Sequence, residues 1–134
     1  MLFFVKMLKN LLKLIFPVLC YGCNELLLLN EKIICSSCRH DLPLTNHLQN
    51  QNNDTTKKFY GIIDIEFGAS MLYFHKKGIV QNLIHNLKYK EKEEIGSFLG
   101  EWYGNEIKNI ALIKTIDYII PVPLHPIRLK ERSY

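Results

Sequence analysis

CYGCNELLLLNEKIICSSC, residues 20–38, decides how this chain is read. Two Cys-x-x-Cys pairs, Cys20/Cys23 and Cys35/Cys38, stand eleven residues apart and account for all 4 cysteines. A two-residue spacer lets one tight turn aim two sulfurs at one point while its amides stabilise thiolate charge; two such turns supply the four soft ligands that Zn²⁺ prefers. The spacing therefore predicts a structural zinc site on Cys20, Cys23, Cys35 and Cys38, closed to water and hence not catalytic. Disulfides are the weaker alternative, because so short a loop constrains little. A redox dithiol would need one pair on a βαβ pattern rather than two pairs in a short hairpin. His40 and His47 lie nearby, and with four thiols present they read as surface residues.

Working outward, the eleven residues between the pairs hold two short apolar runs broken at Asn30 and Glu31, as two small strands and a turn would require. That arrangement is similar to a zinc ribbon or a rubredoxin-like knuckle pair. On the N-terminal side, Leu2 to Leu19 is apolar but carries Lys6, Lys9 and Lys13 at helical spacing on one face, opposite Leu8, Leu11, Leu12, Leu14 and Ile15. Lysines at that depth argue against a membrane span, and no cleavage site follows for export. The expectation is an amphipathic helix packed on the protein itself, with peripheral contact to a membrane surface or a partner as the alternative; Pro17 ends it. On the C-terminal side, His47 to Lys58 has one apolar residue among twelve and reads as a linker.

From Phe59 a second module is expected. "GIIDIEFGASMLYF" suggests one or two strands ending near Phe74. Val80, Leu83, Ile84 and Leu87 then place an amphipathic helix over Lys77 to Lys88, and Ile95, Leu99, Trp102, Tyr103 and Ile107 share the stripe of a second helix, with aromatics that read as core. Tyr118 to Val122 is an apolar run of the kind a buried parallel strand uses. Beyond it Pro121, Pro123 and Pro126 stiffen the chain, while His125, Arg128, Lys130 and Arg132 bring donors to the strand's carboxyl end, where α/β folds place ligands; the residues read equally as a phosphate or pyrophosphate site and as a solvated helix start after the loop.

The chain has 134 residues, 48% hydrophobic and 22% charged, enough for one ordinary domain. A net charge of +4 and a pI near 8.8 are compatible with phosphate-bearing partners without identifying one. Reduced-thiol usage and the lack of an export signal point to the cytoplasm.

The order of parts resembles the ComF family of phosphoribosyltransferase-like competence proteins. The motifs are "LLKLIFPVLCYGC", the second cysteine pair, "LIHNLKYKEKEEIGSFLG" and "IDYIIPVPLHPIRLKERSY". The resemblance implies an α/β protein: residues 1–46 a helix with a four-cysteine zinc module, 47–58 a linker, and 59–134 the first part of a type I phosphoribosyltransferase-like parallel-sheet domain, incomplete at its C-terminal side. It also implies pyrophosphate-loop candidates Pro123, His125, Arg128 and Arg132, hood or nucleic-acid candidates Lys88 and Tyr89, and a role linked to DNA uptake in natural competence. The family's usual glycine after the last arginine is replaced by Ser133, which admits fewer backbone conformations.

The strand, acid pair and Thr/Gly-rich turn that bind phosphoribosyl pyrophosphate in such enzymes have no counterpart here. Asp64 and Glu66 lack the turn, and Glu93/Glu94 sit in a charged helix connection. The expectation is a truncated, split or frameshifted product without transferase activity by itself, for which Mg²⁺ and phosphoribosyl pyrophosphate matter only if the missing part is supplied. The other reading is a non-catalytic zinc-binding module that contacts single-stranded DNA or a partner protein of the competence machinery.

Overall fold

A computed structural model describes residues 16–132 of the chain, so the helix expected over Leu2 to Leu19 lies almost wholly outside the described residues. The chain enters at Phe16 and Pro17 and doubles back around the first cysteine pair. Cys20 N donates to Glu25 O at 2.8 Å and Leu27 N to Val18 O at 3.0 Å, flanking an antiparallel bridge between Leu19 and Leu26. Asn24 takes the left-handed conformation, φ 64°, that reverses the chain directly after Cys23; Asn is among the few non-glycine residues that tolerate it. Tyr21 N donates to Ile33 O at 3.1 Å, which carries the second cysteine pair up to the first.

Helix α1, Ser36–His40, starts at that second pair, with the Cys35 side chain as its N-cap. Leu42 to Thr45 then runs beside Met71 to Tyr73: Thr45 N donates to Met71 O at 3.1 Å and Tyr73 N to Pro43 O at 2.9 Å, around an antiparallel bridge between Leu44 and Leu72. The excursion between them contains a 3₁₀ turn, His47–Gln49, and α2, Asp54–Lys57. Helix α3, Ile79–Tyr89, follows Gly78, and α4, Glu93–Ile107, packs against it to form a helical hairpin. A second 3₁₀ turn, Ala111–Thr115, leads into an extended stretch and α5, Pro126–Arg132.

Helices α3 and α4 match the two amphipathic stripes: Val80, Leu83 and Ile95 are buried, with Leu87, Phe98, Leu99 and Trp102 packed around them. The same cluster contains Cys20, Ile34, Cys38 and Leu42. The cysteine hairpin and the helical hairpin thus share one core. Two polar side chains on α3 reinforce the join, Asn82 Nδ2 donating to Gly22 O at 2.6 Å and Asn86 Nδ2 to Tyr21 O at 3.2 Å.

Three expectations need correcting. The α/β fold with a parallel sheet is overturned: among the described residues there is no strand and no sheet, and pairing stops at the two isolated bridges. Tyr118 to Val122 is extended but solvated, with Tyr118 84%, Ile119 92%, Ile120 86% and Val122 89% exposed. A parallel strand needs neighbours on its edges and covered faces, and this segment has neither, while Pro121 removes one of its donors. The expected strands over Gly61 to Phe74 likewise reduce to a turn and the single bridge at Leu72.

The Asn-rich segment after His47, read as a linker, is folded, because polar groups can be buried when they satisfy one another. The Asn53 side-chain oxygen accepts from Thr55 N at 2.9 Å and Thr56 N at 3.0 Å, and its amide donates to Asn50 O at 2.8 Å and Gly68 O at 2.7 Å. Finally, His40 is exposed but His47 is buried. Its Nδ1 lies 3.2 Å from Thr55 Oγ1 and 3.3 Å from Ser70 Oγ, and its Nε2 3.4 Å from the Tyr73 hydroxyl. These hydroxyls, distant in sequence, are what allow an imidazole to leave water.

Candidate metal centre

The four cysteines predicted as ligands converge. Their sulfurs all lie within 4.8 Å of one another, with Cys23 Sγ and Cys35 Sγ 3.7 Å apart, so the set can hold one metal ion. Cys20 and Cys38 are buried in the core, Cys35 is half-buried and Cys23 faces solvent. The site is therefore anchored from beneath and reachable from one side.

Each element places its sulfur for a local reason. Gly22, inside the first Cys-x-x-Cys, leaves room for the opposite pair: a Cβ there would stand 2.9 Å from Cys38 Sγ and 2.9 Å from Ile79 Cγ2. Backbone amides point at the sulfurs, Cys35 N at 3.2 Å and Gly22 N at 3.4 Å from Cys20 Sγ, and Cys38 N at 3.4 Å from Cys35 Sγ. Burial pushes the Cys20 thiol up, but the amides of Cys35, Cys23 and Gly22 outweigh it and bring the pKa to about 7. Burial also pushes the Cys38 thiol up, and the neighbouring sulfurs add to that rise. One anionic sulfur thus makes the next harder to ionise, the electrostatic problem that a cation at the centre relieves.

Several supporting residues carried no motif. The Glu31 carboxylate accepts from Leu28 N at 2.8 Å, Ser36 N at 2.6 Å and Ser36 Oγ at 2.7 Å, and so ties the loop between the pairs to the start of α1. The Tyr21 hydroxyl donates to Glu94 Oε1 at 2.8 Å, linking the first knuckle to α4. The Arg39 guanidinium lies 5.0 Å from the Trp102 ring centre and 6.0 Å from that of Phe98. Only Asn82 and Asn86 left a trace in the sequence, as polar positions four apart beside the apolar stripe of α3.

The remaining candidates stand elsewhere. Lys88 and Tyr89 are exposed on the last turn of α3, with the Tyr89 ring 5.2 Å from that of His85. Pro123, His125 and Arg128 are exposed on the extended stretch and on α5, at no sheet edge, and Arg132 closes α5. His125 Nδ1 accepts from Ile127 N at 3.4 Å and its carbonyl from Leu129 N at 3.0 Å, so it starts α5. Among the described residues no helix is long and apolar enough to cross a membrane. Comparison of the chain with protein-family models, curated proteins and solved structures finds no match.

Proposed function

We propose that the chain is a non-catalytic zinc-binding module of ComF type that acts in DNA handling, with single-stranded DNA as its partner. The observation that carries the metal assignment is the gathering of four thiols within 4.8 Å, a cluster that among the described residues includes no imidazole or carboxylate. All-sulfur donor sets suit zinc and exclude calcium or magnesium. Sulfurs about 2.3 Å from a tetrahedral Zn²⁺ lie about 3.8 Å from one another, and the 3.7 Å between Cys23 and Cys35 already matches that edge.

When bound, Zn²⁺ neutralises thiolate charge and cross-links the two cysteine turns. The chain does the rest: Gly22 makes room, the amides of Gly22, Cys35 and Cys38 orient the sulfurs, and Asn82 and Asn86 hold the first turn on α3. Four protein ligands fill the tetrahedron, which leaves no position for a substrate and makes the ion a structural one. Metal analysis should give one zinc per chain, and chelation should lower helix content. A chain that takes up no zinc, or folds equally well without it, refutes the assignment.

The link to DNA uptake rests on the resemblance of the sequence motifs to those of ComF proteins. Exposed Tyr89 beside Lys88 and Lys90 supports the choice of ligand, because an aromatic face next to cations suits stacked bases and phosphates. Titration with a labelled oligothymidylate should show salt-sensitive binding. Tyr89→Ala should cost about 1–3 kcal/mol. Flat or undetectable binding refutes the DNA assignment and leaves the metal assignment standing.

A further inference from the structure

An apolar groove of about 350 Å³ opens between α3, α4 and the segment before α3, lined by Leu72, Phe74, Leu83, Leu99, Gly100 and Tyr103 among others. Two features of it are unaccounted for among the described residues. The first is a free backbone edge. In the bridge between Leu44 and Leu72 the hydrogen bonds are made by the flanking residues, so Leu72 sits in the non-hydrogen-bonded position and its own N–H and C=O point away from residues 43–45. Neither has a partner among the described residues. The second is Gly100: a Cβ there would meet nothing within 4 Å, so no contact among the described residues accounts for a residue that costs a helix about 1 kcal/mol relative to alanine.

The same chain carries a segment with the opposite deficit. Tyr118 to Val122 is extended and apolar, and its backbone makes no hydrogen bond among the described residues. Pro121 and Pro123 lack N–H groups on one edge only, since alternate residues of an extended chain point their amides the same way. The edge formed by Tyr118, Ile120 and Val122 keeps all its donors and acceptors.

We propose that the groove is a docking site for the Tyr118–Val122 segment of a second copy of this chain, added by backbone pairing to the open edge at Leu72. The segment supplies apolar surface to Phe74 and Leu99, and a close approach where Gly100 has no side chain. Each copy offers both the groove and the segment, and in each the segment stands away from the body, so reciprocal exchange closes a two-fold dimer.

Sedimentation velocity over micromolar concentrations, on the full metal-loaded chain, tests this, with hydrogen exchange at the Leu72 amide as a second readout. Wild type should dimerise and protect that amide. Ile119→Asp/Ile120→Asp changes one residue on each face of the segment, and Phe74→Asp changes an exposed wall of the groove. Each variant should weaken the dimer about 10-fold or more and speed exchange at Leu72. Mixing the two variants should restore a weaker heterodimer through its one intact contact. A monomer with a fast-exchanging Leu72 amide overturns the proposal. So does a dimer indifferent to both variants, and so does a monomer with a protected Leu72 amide, which assigns the groove to the chain's own segment.

Discussion

Gly22→Ala adds one methyl group to the most crowded point of the metal centre. The new carbon would lie 2.9 Å from Cys38 Sγ and 2.9 Å from Ile79 Cγ2, where non-bonded heavy atoms prefer about 3.5–4.0 Å. Neither neighbour can retreat. Cys38 is buried and bound to a position by the proposed ion, and Ile79 begins α3, whose Asn82 is bonded to Gly22 O itself. The strain must move the first knuckle off α3 or open the sulfur cluster. Overpacking of this kind costs about 1–3 kcal/mol. Urea unfolding of the zinc-loaded protein should shift by that amount, and chelator competition should show zinc held about 5- to 150-fold more weakly. Gly104→Ala is the matched control: a Cβ there meets nothing within 4 Å, so replacing this glycine in the last turn of α4 should stabilise, by up to about 1 kcal/mol. Equal midpoints and equal zinc affinity for wild type and Gly22→Ala would refute the argument that the two cysteine turns and α3 are packed against one another.

Three further outcomes follow from the same contacts. Cys38→Ser should abolish stoichiometric zinc binding and cooperative unfolding together, because Cys20 and Cys38 belong to the buried core as well as to the site. Asn86→Ala leaves the Tyr21 carbonyl without its donor and should destabilise by about 1–3 kcal/mol in urea titration. The Tyr21–Glu94 bond makes stability pH-dependent at both ends. Burial and the Glu94 carboxylate push Tyr21 up to about 12, so its contribution is full below the ordinary tyrosine value near 10 and lost as pH rises towards 12. The Tyr21 hydroxyl in turn holds Glu94 below the usual carboxylate range, so that part is present above the ordinary value and lost as pH falls below it. Thermal unfolding of Tyr21→Phe against wild type should show the difference shrinking above about pH 10.

The four-sulfur cluster was legible because Cys-x-x-Cys geometry is local: two residues of spacing fix where two sulfurs point whatever surrounds them. Helices α3 and α4 were legible because a 3.6-residue stripe is also local: Lys77 to Lys88 lies within two residues of the observed Ile79–Tyr89, and the stripe from Ile95 to Ile107 falls inside Glu93–Ile107. Tyr118 to Val122 was misread for the opposite reason. An apolar, β-branched run reports a capacity to pair, and whether it pairs depends on neighbours that the run does not encode. His47 and Asn53 were misread because polar composition was taken for exposure, whereas burial depends on partners as distant as Ser70 and Gly68.

Interactions among residues a few positions apart set the four sulfurs, the turns that aim them and the two amphipathic helices, so these can be read from short windows of sequence. Long-range packing makes the cysteine turns and the helical hairpin one core, makes Gly22 the clearance between them and closes the Asn-rich stretch on itself. Those contacts join residues up to 73 positions apart, as Tyr21 and Glu94 are, and no short window of sequence carries them.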